Sequence, residues 1–180
     1  MTATAGGAAV ASSTRERVRA ALAGLAHREI EARDGMAAVE VARDVLAAAL
    51  RRLRDAAGFE AVTFVTAVDR RPAVPRFEVV HQLYSVAHRD RVRVQTRVAE
   101  EDPAVPSCVE VWPGAAFMER ECFDLLGIVF TGHPGLKRLM MPEDYRYHPL
   151  RKEFPQQGIE PDRHYREWDE ARRRTWRPEE

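Results

Sequence analysis

The sequence predicts an α+β domain, with helices packed on a mostly antiparallel sheet, followed by a long extended C-terminal arm. Three observations carry this. No proline precedes Pro72, yet eight fall between Pro103 and Pro161. The first half can therefore hold long regular elements, while the second is broken and extended. From Val41 onward, apolar residues recur at a 3.6-residue period, the mark of an amphipathic helix. Residues 91–98 alternate strictly, the mark of a strand with one buried face.

The elements follow in order. "MTATAGGAAVASST" has no basic residue before Arg15 and no long apolar core. It reads as a disordered tail over 1–13 rather than a signal peptide. Residues 14–31 are rich in Ala and Arg and are predicted helical, with a weak apolar stripe. "AAVEV" (37–41) is a short strand. Val45, Leu46, Ala49, Leu50 and Leu53 form one stripe of a helix over 42–56, with Arg51, Arg52 and Arg54 off it and a stop near Gly58. "EAVTFVTAVD" (60–69) is β-branched and apolar on both faces, which suits a central strand. "RFEVVHQLYSV" (76–86) sets Phe77, Val79, His81 and Leu83 on one side. In "RVRVQTRV" (91–98), Val92, Val94, Thr96 and Val98 point inward, and Arg91, Arg93, Gln95 and Arg97 outward. These two strands make an antiparallel hairpin with its turn at 87–90. A loop over 100–115 leads to a further helix, "AAFMERECFDLL", apolar around most of its circumference, with Pro113 at its first turn and Gly127 at its stop. The rest is turn-and-extension chemistry. The chain thus divides into a tail (1–13), a domain (14–130), an extended partner-binding arm (131–162) and a charged tail (163–180) holding Trp168 and Trp176.

Length and composition bound the function. The 180 residues, 45% apolar and 31% charged, suit one domain with a real core. Zero formal net charge excludes a global basic field for nucleic acid. Cys108 and Cys122 are the only cysteines, with no CxxC spacing, so zinc and iron–sulfur sites are unsupported. No apolar run approaches the roughly 20 residues that span a bilayer, so any membrane role runs through partners.

Residues 119–155 gather the candidate chemistry. His133 and His148 each precede proline, and Glu119, Glu121 and Asp124 share one helix, but no H-x-x-x-H spacing fixes two metal ligands on one face. Carboxylates beside Cys122 would raise a thiol pKa, so a small core residue explains it better than a nucleophile. Glu121 and Asp124 can adjoin, yet the sequence supplies no cleft for acid–base work. The better reading is semi-buried acids paired with Arg120, Arg138 or Arg151. No G-x-G-x-x-G or Walker motif appears. Arg91, Arg93 and Arg97, with "RRRTWR", form basic stripes of a kind that binds phosphates, although a solvated sheet face is the commoner cause. No cofactor or metal is expected on this chain. A protein interface accounts for the polar density, with Phe130, Tyr145, Tyr147 and Phe154 as anchors.

The segment "EREcfDLLgivftgHpglKrLM" (119–140) resembles the signature of the 30-kDa subunit of respiratory complex I, the C-subunit family of NADH-quinone oxidoreductase. Glu-Arg-Glu, Asp124, Leu125–Leu126, His133, Lys137 and Leu139–Met140 fill its positions. The resemblance runs over about 60–155, through "FVTAVDRRPAVPRFEVVHQLYSVAHRDRVRVQTRV", "DPAVPS", "WPGAAFMERE" and "MPEDYRYHPLRKEFP". It implies an α+β fold and a structural, non-catalytic subunit without flavin, nucleotide or iron–sulfur cluster of its own. It also implies a place in the peripheral arm of a proton-translocating NADH-quinone oxidoreductase. There the chain would contact the 49-kDa, D-type subunit and the cluster-bearing, B-type subunit, on the cytoplasmic side of the bacterial inner membrane. NADH, FMN, iron–sulfur clusters and quinone would belong to those and other partners. The equivalent subunit of a membrane-bound hydrogenase-type complex is the alternative. Tyr147 stands where the family usually has glycine, which implies a different local turn. The residues expected to carry contacts between subunits or to order the arm are Glu119, Arg120, Glu121, Asp124, His133, Lys137, Arg138, His148, Arg151 and Lys152.

Overall fold

The computed structural model describes residues 4–156, 158 and 170. Three helices pack on a five-stranded mixed sheet. Helix α1 (Thr4–Ala21) is followed by β1 (His27–Glu31) and β2 (Ala37–Val41). A 3-10 turn (Arg43–Val45) leads into α2 (Leu46–Asp55), and then come β3 (Ala61–Asp69), β4 (Phe77–Ser85) and β5 (Asp90–Val98). The chain continues through β6 (Ala104–Pro106), α3 (Ala115–Leu126) and β7 (Val129–Thr131). The sheet order is β1-β2-β5-β4-β3, with every pairing antiparallel except β2 with β5. Strands β6 and β7 make a separate parallel pair.

The alternation of β5 behaves as its sequence dictates. Val92, Val94, Thr96 and Val98 are buried on the face shared with Phe77, Val79, His81 and Leu83 of β4. Leu46, Ala49, Leu50 and Leu53 of α2, and Val18 and Leu22 beside them, cover that face. Helix α2 stops where Gly58 adopts a left-handed φ of +69° and the Phe59 amide returns to the Leu53 carbonyl. Helix α1 is tied to the hairpin by Asp90, which accepts from Thr14 Oγ1 and from both Nη atoms of Arg17.

Five sequence readings are corrected. The helix expected over 14–31 begins at Thr4, taking in most of the expected disordered tail, and ends at Ala21. Alanine propensity carries the early turns across the glycine pair. The remainder of that expected helix turns at Gly24 (φ +80°) and becomes β1, because pairing with β2 outweighs local propensity. Strand β3 is an edge strand, not a central one. The stretches read as irregular around Val105 and Phe130 pair as β6 and β7, too short for a periodic signal. The basic stripe of β5 is engaged within the chain: Arg93 pairs with Asp34 at 2.7 Å, Arg97 with Glu40 at 3.3 Å, and Arg91 lies 5.2 Å from the Tyr84 ring centroid. The expected tail over 163–180 lies outside the described residues except for residue 170, as do Trp168 and Trp176.

Candidate functional site: the clasp that seats the arm

Helix α3 is the frame of the site. Its buried face carries Ala115, Cys122 and Leu126 into the core, and two carboxylates, Glu119 and Asp124, are buried with them. A buried carboxylate needs donors, and these two find different ones. Glu119 accepts from Ser107 Oγ at 2.6 Å and from the Cys108 amide at 2.7 Å, pinning the loop before the helix. The arginine partner expected for this acid is therefore replaced by a hydroxyl and a main-chain N–H.

Asp124 has the expected cation and more. Arg138 Nη1 donates to its Oδ1 at 2.6 Å, and the amides of Leu139, Met140 and Met141 all converge on its Oδ2 at 2.6–2.9 Å. Burial alone would raise this carboxyl. The Met141 and Met140 amides, Arg138 and the Leu139 amide more than offset it, holding the group below the usual Asp value.

The remaining predicted residues act on main-chain oxygens. Arg120 donates to the Lys137 and Arg138 carbonyls, and His133 Nε2 meets the Ala116 carbonyl. Arg138 also reaches the carbonyls of Asp124, Tyr145 and Tyr147. His148 Nδ1 meets the Asp124 carbonyl at 2.9 Å, and Arg151 Nε the Leu126 carbonyl at 2.8 Å. These are carbonyls of the last turn of α3, where a helix leaves acceptors unfilled and its dipole favours cations. Lys152 Nζ donates to the Arg71 carbonyl. Glu121 and Lys137 have exposed side chains. Seven of the ten expected residues thus fold residues 131–154 back onto their own domain, and Glu119 fixes the loop beside them.

The second half of the clasp has no signature in the sequence. Arg76, buried in the β3–β4 connection, holds Asp69 bidentately at 3.0 and 2.6 Å. It also reaches Glu100 and Glu153, and the Lys152 amide donates to Asp69 Oδ2 at 2.9 Å. Hydrogen bonding from Arg76 holds the Asp69 carboxyl well below the usual range and the guanidinium above its own. Arg151 lies over the Phe77 ring at 5.2 Å. Gly127 reads from sequence only as a helix stop. It has φ +77°, and a Cβ there would collide with Arg151 Nη2 and lie 2.7 Å from His148 Nε2. Tyr147 is not among the residues with positive φ, so its turn does not use the conformation that favours glycine.

The clasp leaves an apolar surface outward. Phe117, Met140 and Leu150 are each more than half exposed, with Leu139 and Tyr147 beside them in the same segments. Cys108 and Cys122 are free and buried, and burial raises both thiols. Among the described residues, no three His, Cys, Asp or Glu side chains converge as a metal site, and no helix is long and apolar enough to cross a membrane.

The clasp falls inside a recognised family match. The family described as respiratory-chain NADH dehydrogenase, 30-kDa subunit, matches residues 39–160. The C subunit of NADH-quinone oxidoreductase from Roseiflexus sp. (strain RS-1) is 44% identical over 142 residues, covering 78% of this chain and 81% of that one. The corresponding protein of Roseiflexus castenholzii is 58% identical over 81 residues, 45% of this chain and 47% of its own length. Thus the chain aligns with about half of one relative and about four fifths of the other. A solved trypsin-resistant fragment of Nqo5 has the same fold, with a TM-score of 0.59 and 31% identity, covering 71% of this chain and 99% of that one.

Proposed function

This chain belongs to the 30-kDa subunit family of respiratory-chain NADH dehydrogenase, and from that premise we propose that it is a non-catalytic assembly subunit. It stands in the peripheral arm of a proton-translocating NADH-quinone oxidoreductase, on the cytoplasmic side of the bacterial inner membrane. Its partners are the 49-kDa, D-type subunit and the cluster-bearing, B-type subunit. NADH, FMN, clusters and quinone are held by partner subunits. The observation that carries this reading is the use made of the signature residues. They bind carbonyls and amides of their own chain, fixing an irregular arm on which Leu139, Met140, Tyr147 and Leu150 face outward. A segment shaped at such cost in buried polar groups, and then left with exposed Leu, Met and Tyr side chains, suits a contact surface rather than a reaction centre.

The test is a pull-down of tagged chain from gently solubilised membranes, with mass spectrometry of the captured proteins. Recovery of D-type, B-type and NADH-binding subunits is expected. D-type and B-type subunits without an NADH module would move the assignment to a hydrogenase-type complex. A solitary chain would refute the assembly role.

A further inference from the structure

The two edges of the sheet are built differently. Strand β1 has five residues, "HREIE", and Arg28, Glu29 and Glu31 expose charge along it. A short, charged edge of this kind resists pairing with another chain. Strand β3 has nine residues, and from Ala61 to Val68 none is charged. Its outer side carries no backbone hydrogen bond among the described residues. A bulge near Thr63 disturbs only its beginning, and Phe64 to Asp69 pair regularly with β4. Helix α3 packs against β3, and Val65 shares one buried cluster with Cys122 and Leu126. Thr63 and Phe64 remain exposed. The same stretch reads from sequence as a central strand.

We propose that β3 becomes a central strand in the assembled enzyme, through main-chain pairing with an extended segment of a neighbouring subunit along Phe64–Val68. This rests on the assembly role above. An open ladder of N–H and C=O groups is matched by an extended backbone. The neutrality of Ala61–Val68 calls for an uncharged segment, because a charge laid there would lose water without gaining a partner. Phe64, Thr66 and Val68 alternate on the sheet face away from the core, where Phe64 and Val68 offer apolar contacts, and Thr66 a small neutral one, to the added strand's side chains.

The experiment uses the intact complex and the free full-length chain. Hydrogen exchange is followed at the β3 amides in both, and a photoreactive phenylalanine analogue at position 64 reports what lies beside the edge. Outward amides of β3 should exchange roughly a hundredfold more slowly in the complex, and position 64 should cross-link to one extended peptide of another subunit. A Thr66→Lys variant should fold with unchanged circular dichroism and melting temperature, yet enter the complex at least roughly tenfold less well. Co-purification with equally fast β3 exchange in both states would overturn the pairing while leaving the assembly role standing. A cross-link to a second copy of this chain would overturn the partner assignment. Failure to co-purify at all would overturn both.

Discussion

The sheet domain and the arm are held together by opposite means. The domain closes by burying one face of each element: Leu46, Leu50, Leu53 and Phe59 lie against Phe77, Leu83 and Val94 with almost no exposure. Its stability scales with apolar area removed from water. The arm has no such face. Residues 136–154 include no regular element and leave Met140 and Leu150 largely exposed. The arm is seated by guanidinium, imidazole and amide groups meeting carbonyls and two buried carboxylates. The contrast teaches that an irregular segment can be fixed in shape without a core, provided that its anchors are charged and desolvated.

The largest effect that would separate the two regions is a core truncation. Phe59 is fully buried behind Gly58, with the Arg17 guanidinium 5.4 Å from its ring centroid. Phe59→Ala is expected to cost roughly 3–5 kcal/mol of global stability. Urea denaturation should show one shifted transition in which domain and arm are lost together. Survival of the arm's amide protection after the domain unfolds would break the comparison.

Asp124 gives the converse. Asp124→Asn removes the charge facing Arg138 and weakens the acceptor for three amides. It should cost roughly 3 kcal/mol, mostly as arm release. The Leu139, Met140 and Met141 amides should lose exchange protection, and trypsin should cut faster at Arg146. The domain's thermal transition should move much less than in Phe59→Ala. An equal fall in both would mean that the arm is integral to the core.

Gly127 sharpens the hinge between them. An alanine there meets a left-handed φ, a strain of about 1–2 kcal/mol, and its Cβ displaces Arg151 and His148. Arm proteolysis should accelerate, while β5 amides keep their protection. Unchanged cleavage at Lys152 would remove Gly127 from the clasp.

What is legible in the sequence follows the same division. Strand β5 and helix α2 have one buried face each, so periodicity locates them. The hairpin turn also falls where expected, with Arg89 at φ +54°. Strand β1 misleads because "HREIE" has helical propensity and becomes a strand only when β2 is beside it. In the clasp, the sequence marks Glu119, Arg120, Asp124, Arg138 and Arg151 as a polar cluster but not the direction in which they act. Charges that grip a partner and charges that grip the same chain look alike in one dimension. Asp69, Arg76 and Glu153 escape notice because Asp69 ends β3, Arg76 lies in the connection to β4, and Glu153 is 77 positions beyond Arg76. Such pairings belong to the tertiary structure and leave no local pattern.

The smallest effect separates the regions by pH. His81 lies on the core face of β4, fully buried, with neither ring nitrogen hydrogen-bonded. Burial depresses its pKa to about 4, against roughly 6.5 in an unfolded chain. The unfolded state therefore takes up a proton first as pH falls. The domain keeps its full stability above about pH 6.5 and loses it progressively down to about pH 4. Asp69 and Asp124 are depressed carboxyls, so their contribution persists through this window and is lost only below the ordinary Asp range. His148, depressed by burial, loads the arm in the same direction as His81. His81→Leu isolates the domain's share. At pH 5.5 it should recover about 1 kcal/mol relative to the parent, one pH unit of linkage, and flatten the domain's urea midpoint between pH 7 and 5.5. The arm's proteolysis should keep its dependence on pH through His148. If the domain's slope survives in His81→Leu, the acid sensitivity lies elsewhere, and the core is not where protonation first weakens the fold.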